Sequence, residues 1–305
     1  MTNQTITPQK ISRFTTRIPP FPKAVQRVMT MLRDHSIQLT KVGEVVSLDQ
    51  GLSGKVLRMA NSAYFGLPRR VYNVTEALVL LGFANVRSVL VSASVGNFLC
   101  RELAAYGLGA GELWEHSVGA AYACQMLARR IDVRVYSMAF SAGLLHDVGK
   151  VAIDQVLDPD ARVSLSREIE AAAESGGERK DPSARWRKVD EIETGIVGAT
   201  HAEVGSKVCL QWRLPEEIVE GVGFQHNPWE APSHPTIAAL VAMADHCVNL
   251  LEGGCNVLSP ADFTWVPHGI QRPDQALLDK LTEDLPEMIS SSRQLLEGTT
   301  EVLGR

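Results

Sequence analysis

Paired cysteines, aromatic side chains and long runs of one charge are all scarce in this sequence, and each shortage excludes something. The five cysteines (Cys100, Cys124, Cys209, Cys247 and Cys255) form no Cys-x-x-Cys pair, so zinc-ribbon spacing and a dithiol redox motif are both absent. Cys124, Cys209 and Cys247 stand among apolar helical positions, where a free thiol packs as a small hydrophobe, and an odd unpaired set fits a reducing cytosol. No extended Lys/Arg run exists and the net charge is −5, which disfavours a nucleic-acid partner. Arg69-Arg70 and Arg129-Arg130 read as solvated helix ends. The first ten residues are polar and lack an apolar signal core. Ala77–Leu81 and Val89–Val95 are too short and too broken for a membrane span. The expectation is a soluble, cytoplasmic protein with no membrane partner.

With aromatics at 6% and apolar residues at 45%, the core must be built mainly from aliphatic side chains, and no stretch alternates like a strand. The chain therefore reads as all-α. After Ile18-Pro19-Pro20-Phe21-Pro22, the spacing of Val25, Val28, Met29 and Leu32 predicts a helix. Thr40, Asp49 and Thr75 are candidate starts of three more, with Gly82 ending the third and Phe83–Leu99 forming a longer one. Three glycines within Gly107–Gly111 mark the best boundary. Beyond it the pattern predicts helices over Leu113–Arg130, Val135–Asp147, Thr200–Trp212, Pro215–Gln225 and Pro235–Leu251, then one or two helices around Ala276–Leu285 and Ile289–Leu296. Thr200 and Glu203 form a capping box, placing His201 in a first helical turn. Glu174–Glu193, with Gly176-Gly177, Pro182 and many charges, reads as an exposed loop that could act as a lid.

Candidate chemistry concentrates in the second half. His116 falls on one predicted helix; His146-Asp147 ends another, with Gly149 read as its stop. His201 and His226 lie on two further helices, and Asp245 sits inside the otherwise apolar Ile237–Val248. A carboxylate among Val241, Ala242 and Val248 is costly unless it is paired, hydrogen-bonded or bound to a cation. Singly, each residue has an ordinary alternative: Asp245 facing solvent or a backbone group, His146-Asp147 as a polar helix end, the other histidines as core or rim positions. Together, four His and two Asp are the ligand mixture for one or two divalent transition ions (Fe, Mn, Zn or Ni), and one carboxylate can bridge. Lys150 could meet a phosphate oxygen as a point charge, or complement a helix C-terminus. Glu112, four residues before His116, is either a further ligand or a solvated first-turn residue.

His116, Leu144-Leu145-His146-Asp147-Val148-Gly149-Lys150 and Asp245 resemble the HD superfamily of metal-dependent phosphohydrolases. The first half resembles the HDOD family in particular, through Ile18–Pro22, Leu57-Arg58-Met59-Ala60-Asn61-Ser62-Ala63-Tyr64-Phe65-Gly66-Leu67-Pro68 and Ala77–Gly82. Thr200–Gly205 and Trp212–Val219 fit it as well, so the likeness spans about residues 15 to 252. The resemblance implies a bacterial, all-helical regulatory module: an N-terminal bundle (1–108) packed on an HD-like domain (109–259), with a C-terminal helical tail (260–305). It also implies a signalling protein as partner. By position, His116, His146, Asp147 and Asp245 would be the core ligands, and His201 and His226 would complete a second metal bridged by Asp147. If the protein is instead a phosphohydrolase acting on a nucleotide or phosphate ligand through a metal-activated water, Asp147 and Lys150 are its catalytic pair. The related HD-GYP proteins, which cleave cyclic di-GMP, carry two adjacent histidines where this chain has Gln225-His226. Their Gly-Tyr-Pro signature is replaced by Asn227-Pro228-Trp229-Glu230, which argues against that reaction. An open cleft over the site would favour the hydrolase; cover by the N-terminal bundle would favour the module.

Overall fold

The computed structural model describes residues 13–34, 36–174 and 182–292, and every regular element among them is helical. The N-terminal half contains α1 (Lys23–Met31), α2 (Leu39–Ser47), α3 (Gln50–Ala60) and α4 (Val74–Leu99). Asp49 caps α3 by accepting the Leu52 amide, as its sequence position implies. Two other starts differ from expectation. The second helix begins at Leu39, so Thr40 lies inside it, and Asn73 rather than Thr75 caps α4 by accepting from the Glu76 amide. Gly82 breaks α4 with φ 72°, a left-handed conformation that favours glycine. By length and composition α4 is apolar enough to cross a membrane, yet Val86 and Val89–Val91 are buried in the protein's own core.

The loop after α3 is held by side chains. Asn61 donates its amide to the Leu57 and Val71 carbonyls and accepts the Val71 amide, all at 2.8 Å. Tyr64 reaches across to the second half, donating its hydroxyl to Gln125 Oε1 at 2.6 Å and packing its ring 5.0 Å from Phe140. The Ile18–Pro22 segment makes a second tie: Phe21 stacks on Trp212 at 5.0 Å, and the Trp212 indole donates to the Pro19 carbonyl. One apolar core consequently runs from Phe14 to Leu285. Each fully buried Leu or Val in it contributes roughly 1.5–3 kcal/mol relative to exposure.

The second half contains α5 (Glu112–Ile131), α6 (Tyr136–Leu145), α7 (Val148–Val156), α8 (Pro159–Glu174), α9 (Ser183–Ile196), α10 (His201–Gln211), α11 (Glu216–Gly223), α12 (Pro235–Glu252) and α13 (Gln275–Ser292). α5 is the hub, packing on α6, α12 and α13. One expectation is corrected here. The segment read as an exposed loop holds α9, whose Trp186, Ile192 and Glu193 are buried; residues 175–181 of it lie outside the described residues. The tail, expected to hold one or two helices, has one α-helix among the described residues, α13, running through Pro286; positions 293–296 lie outside the described residues. All five cysteines are free, with Cys124, Cys209 and Cys247 buried.

Candidate metal centre

Separate segments deliver the histidines to one place. His116 sits in the second turn of α5. α6 ends at Leu145 and α7 begins at Val148, so His146 and Asp147 form the corner between them. Gly149 does not stop the helix, as expected from sequence, but lies inside α7. Its missing side chain serves close approach: a Cβ there would overlap the His201 carbonyl oxygen and stand 2.7 Å from the Gly205 amide. His201 opens α10 behind the complete Thr200–Glu203 capping box. His226 lies just past the end of α11 rather than on a helix. Asp245 projects from α12.

Asp147 is the hub of the cluster. Its Oδ2 lies 3.4 Å from His146 Nε2 and 4.0 Å from His116 Nε2, while its Oδ1 lies 3.3 Å from His201 Nε2. Asp245 Oδ1 stands 3.1 Å from His116 Nε2 and 3.5 Å from His146 Nε2. Ligand atoms of His116, His146 and Asp147 all fall within 4.8 Å of one another, as do those of Asp190, Glu193 and His201. The structure therefore brings His116, His146, Asp147, His201 and Asp245 together; His226 joins through His201, with ring centroids 4.9 Å apart.

A regularity links the four imidazoles: each has Nδ1 against an oxygen acceptor. The acceptors are Glu252 for His116 (3.0 Å), the Gly143 carbonyl for His146 (2.7 Å), Glu193 for His201 (2.8 Å) and Asp190 for His226 (2.9 Å). For His146 and His201 this leaves Nε2 buried with no hydrogen-bond partner while it faces Asp147. A buried nitrogen lone pair left unpaired costs about 1–3 kcal/mol, so two beside one carboxylate fit a cation between them. Fixing Nδ1–H on an acceptor is also how proteins orient histidine ligands.

Burial disfavours the Asp147 charge, but His146, Lys150, His201 and His116 hold its carboxyl far below the ordinary carboxylate range. Asp245 is also held well below that range despite burial, through His116 and His146. Burial opposes protonation of His116 as well, yet Asp245 and Glu252 at its two nitrogens raise it to about 10. Lys150 donates to Asp147 Oδ2 at 2.6 Å, and that contact raises its pKa against burial. Glu112 accepts the Gly109 amide at the start of α5, the first-turn role.

Sequence reading missed several participants. Fully buried Glu193 accepts the His201 amide and ring and the Tyr106 hydroxyl. Trp186 stacks on His226 (centroids 5.6 Å) and donates to Asp245 Oδ2 at 3.3 Å. Trp186, Asp190 and Glu193 recur at helical spacing, a signal the neighbouring Gly-Gly and Pro concealed. Gln225 donates to the His146 carbonyl at 2.8 Å and so supports the corner. The cluster faces a cavity of about 420 Å³ that Lys150, Arg185 and Trp186 also line. Apart from Leu108, the last residue of the N-terminal bundle, its described lining residues all come from the second half.

Solved structures share this helical arrangement. A candidate phosphohydrolase from Shewanella amazonensis SB2B superposes with TM-score 0.69 at 24% identity, covering 94% of this chain and 98% of that one. An HDOD domain protein of unknown function from Geobacter sulfurreducens also gives 0.69, at 20% identity and the same coverage. A candidate signal-transduction protein from Marinobacter aquaeolei VT8 gives 0.67 at 22% identity, covering 94% of this chain and 63% of that one. At these identities the likeness is one of fold. An uncharacterised protein of Treponema pallidum (strain Nichols) is 26% identical over 238 residues, or 77% of this chain; the chain spans 43% of that relative's length. The HDOD domain matches residues 18–228, which takes in the Pro-rich start, the Asn61–Pro68 loop and the His146-Asp147 corner: the chain belongs to the HDOD family.

Proposed function

We propose that this protein is a signal-transduction module whose second half holds one or two divalent transition ions in a centre open to a small phosphorylated ligand. The observation that carries the reading is the anchoring of all four imidazoles through Nδ1, with two buried Nε2 atoms left unpartnered on either side of Asp147. His116, His146, Asp147 and Asp245 would hold the first ion. Asp147, His201 and His226 would form the second position, with Asp190 beside it. The likeness to a candidate signal-transduction protein supports the regulatory part. Leu48, Tyr72, Val79 and Leu80, all large, apolar and exposed on the N-terminal half, support docking of a partner protein there.

A second reading, metal-dependent phosphoester hydrolysis, is favoured by the open cavity above Asp147 and by the neighbour described as a candidate phosphohydrolase. A bound ion would supply Lewis acidity and a water acidified towards neutrality. The chain's own contribution would be positional. Lys150, kept protonated and aimed by Asp147, would meet a phosphoryl oxygen, and Arg185 lies on the same cavity wall. Trp186 and Asn249 would hold the Asp245 carboxylate in place. Gln225 in place of a histidine removes one imidazole from the second position, which favours binding over turnover.

The test uses metal-loaded full-length protein with bis(p-nitrophenyl) phosphate and p-nitrophenyl phosphate. Bound metal without turnover is the expected result. Turnover lost in Lys150→Ala would replace the module reading with the hydrolase. A protein that takes up no metal contradicts both.

A further inference from the structure

A larger cavity, of about 650 Å³, lies on the opposite side of α5, where the end of α3, the 61–72 loop, α6 and the last turn of α13 meet. Its chemistry is the reverse of the metal centre's. Among the described residues no carboxylate lines it, although the protein as a whole carries a net charge of −5. Arg58, Arg69 and Arg70 do. Arg69 is ion-paired with Glu76, but among the described residues neither Arg58 nor Arg70 has a carboxylate partner. Arg70 instead lies over the Tyr72 ring, 5.8 Å from its centroid.

Inside this cationic mouth the lining is partly aromatic: Tyr64 and Phe65 are half-buried there, while Trp114 and Phe140 border the cavity with almost no surface of their own. Ser62 adds a buried hydroxyl oxygen that has no hydrogen-bond partner. The unsatisfied hydroxyl is an available donor or acceptor for a polar ring edge. A volume of this size lies within the range of small-molecule sites. Planar walls suit a flat ring, which packs offset or edge-on against aromatic side chains. Guanidinium groups fork onto phosphate or carboxylate oxygens. Several cations at one mouth match an anion carrying more than a single charge, and a flat polar ring joined to such an anion is a nucleotide.

We infer that this cavity is a nucleotide-binding site, with the base against the half-buried rings of Tyr64 and Phe65 and the phosphates at Arg58 and Arg70. The site is independent of the metal centre. Trp114 and Val118 present one face of α5 to it, while Glu115 and His116 present the other face to the metal cavity. Failure of the metal assignments leaves it untouched.

Isothermal titration of the full-length protein with AMP, GMP, ATP and GTP tests the inference, with guanosine and inorganic phosphate as controls. At least one nucleotide should bind with Kd below about 1 mM, more tightly than either control. Because Arg58 and Arg70 are exposed, Arg58→Gln with Arg70→Gln should keep the wild-type melting temperature while weakening that nucleotide at least about tenfold. Asp147→Ala should leave it unchanged. The inference is overturned if no nucleotide binds at that concentration, or if phosphate alone binds as tightly. It is equally overturned if binding survives the arginine changes and disappears with Asp147.

Discussion

The two faces of α5 make opposite use of one helix. On one, Glu115 and His116 look into a cavity dense in carboxylates and imidazoles; on the other, Trp114 and Val118 look into one with arginines, aromatic rings and, among the described residues, no acid. Neighbouring helical residues point about 100° apart, so a two-residue step is enough to separate these environments. The faces also differ in how they are held. Backbone packed against backbone fixes the metal side, where α7 meets α10 at Gly149. Side chains fix the other, through Asn61 and Tyr64 in the loop after α3. A centre that must place several donors within tenths of an ångström needs the first kind of support; a cavity that fits a flexible ligand can use the second.

The largest expected break in that comparison comes from Gly149→Ala. Its methyl group meets backbone on α10, which cannot turn aside as a flexible side chain would. Overpacking of this kind should cost at least about 3 kcal/mol, read as a lower urea midpoint, and metal uptake should fall with it. An unchanged midpoint would show that α7 and α10 separate easily.

Glu193→Gln should act on the metal side alone. Glu193 orients His201 through both backbone and ring, and loss of such a partner typically lowers metal affinity about 10–100-fold. Titration with Zn²⁺ or Mn²⁺ measures the change, which an exclusively structural Glu193 would not produce once folding is matched.

Acidity should separate the faces more gently. In the metal-free protein His116 is raised from 6.5 to about 10, so it keeps its proton at neutral pH and an incoming ion must displace it. Metal affinity should therefore climb with pH up to about 10, by no more than about tenfold per unit for one proton. The sign for stability is opposite: this proton's contribution is complete below about 6.5 and is lost as pH rises through about 10. That slope belongs to the metal face, where His116 lies.

Much of the centre was legible because its residues break local rules. Asp245 interrupts an apolar helix, and His146-Asp147 ends another; each demands a partner, and the structure supplies them to each other. The Thr200–Glu203 box fixed the start of α10, and with it the position of His201. What remained hidden was the outer support. Asp190, Glu193 and Glu252 are ordinary polar helix residues until α9 and α12 fold onto the histidines, and nothing local in the chain distinguishes them from solvated carboxylates. The α9 helix itself was obscured by Gly176-Gly177 and Pro182 just before it. The role of Gly149 was misread for a similar reason: a helix stop and a site of close helix approach both need glycine, and only the neighbouring backbone distinguishes them.

The most direct test is elemental analysis of the purified full-length protein beside an Asp147→Ala variant, after exposure of both to Fe, Mn, Zn and Ni. Asp147 faces His116, His146 and His201 within 4.0 Å, so about one or two equivalents of a transition metal should be retained by the wild type and lost from the variant. Equal metal in both proteins, or none in either, would contradict the assignment of this cluster as a metal centre.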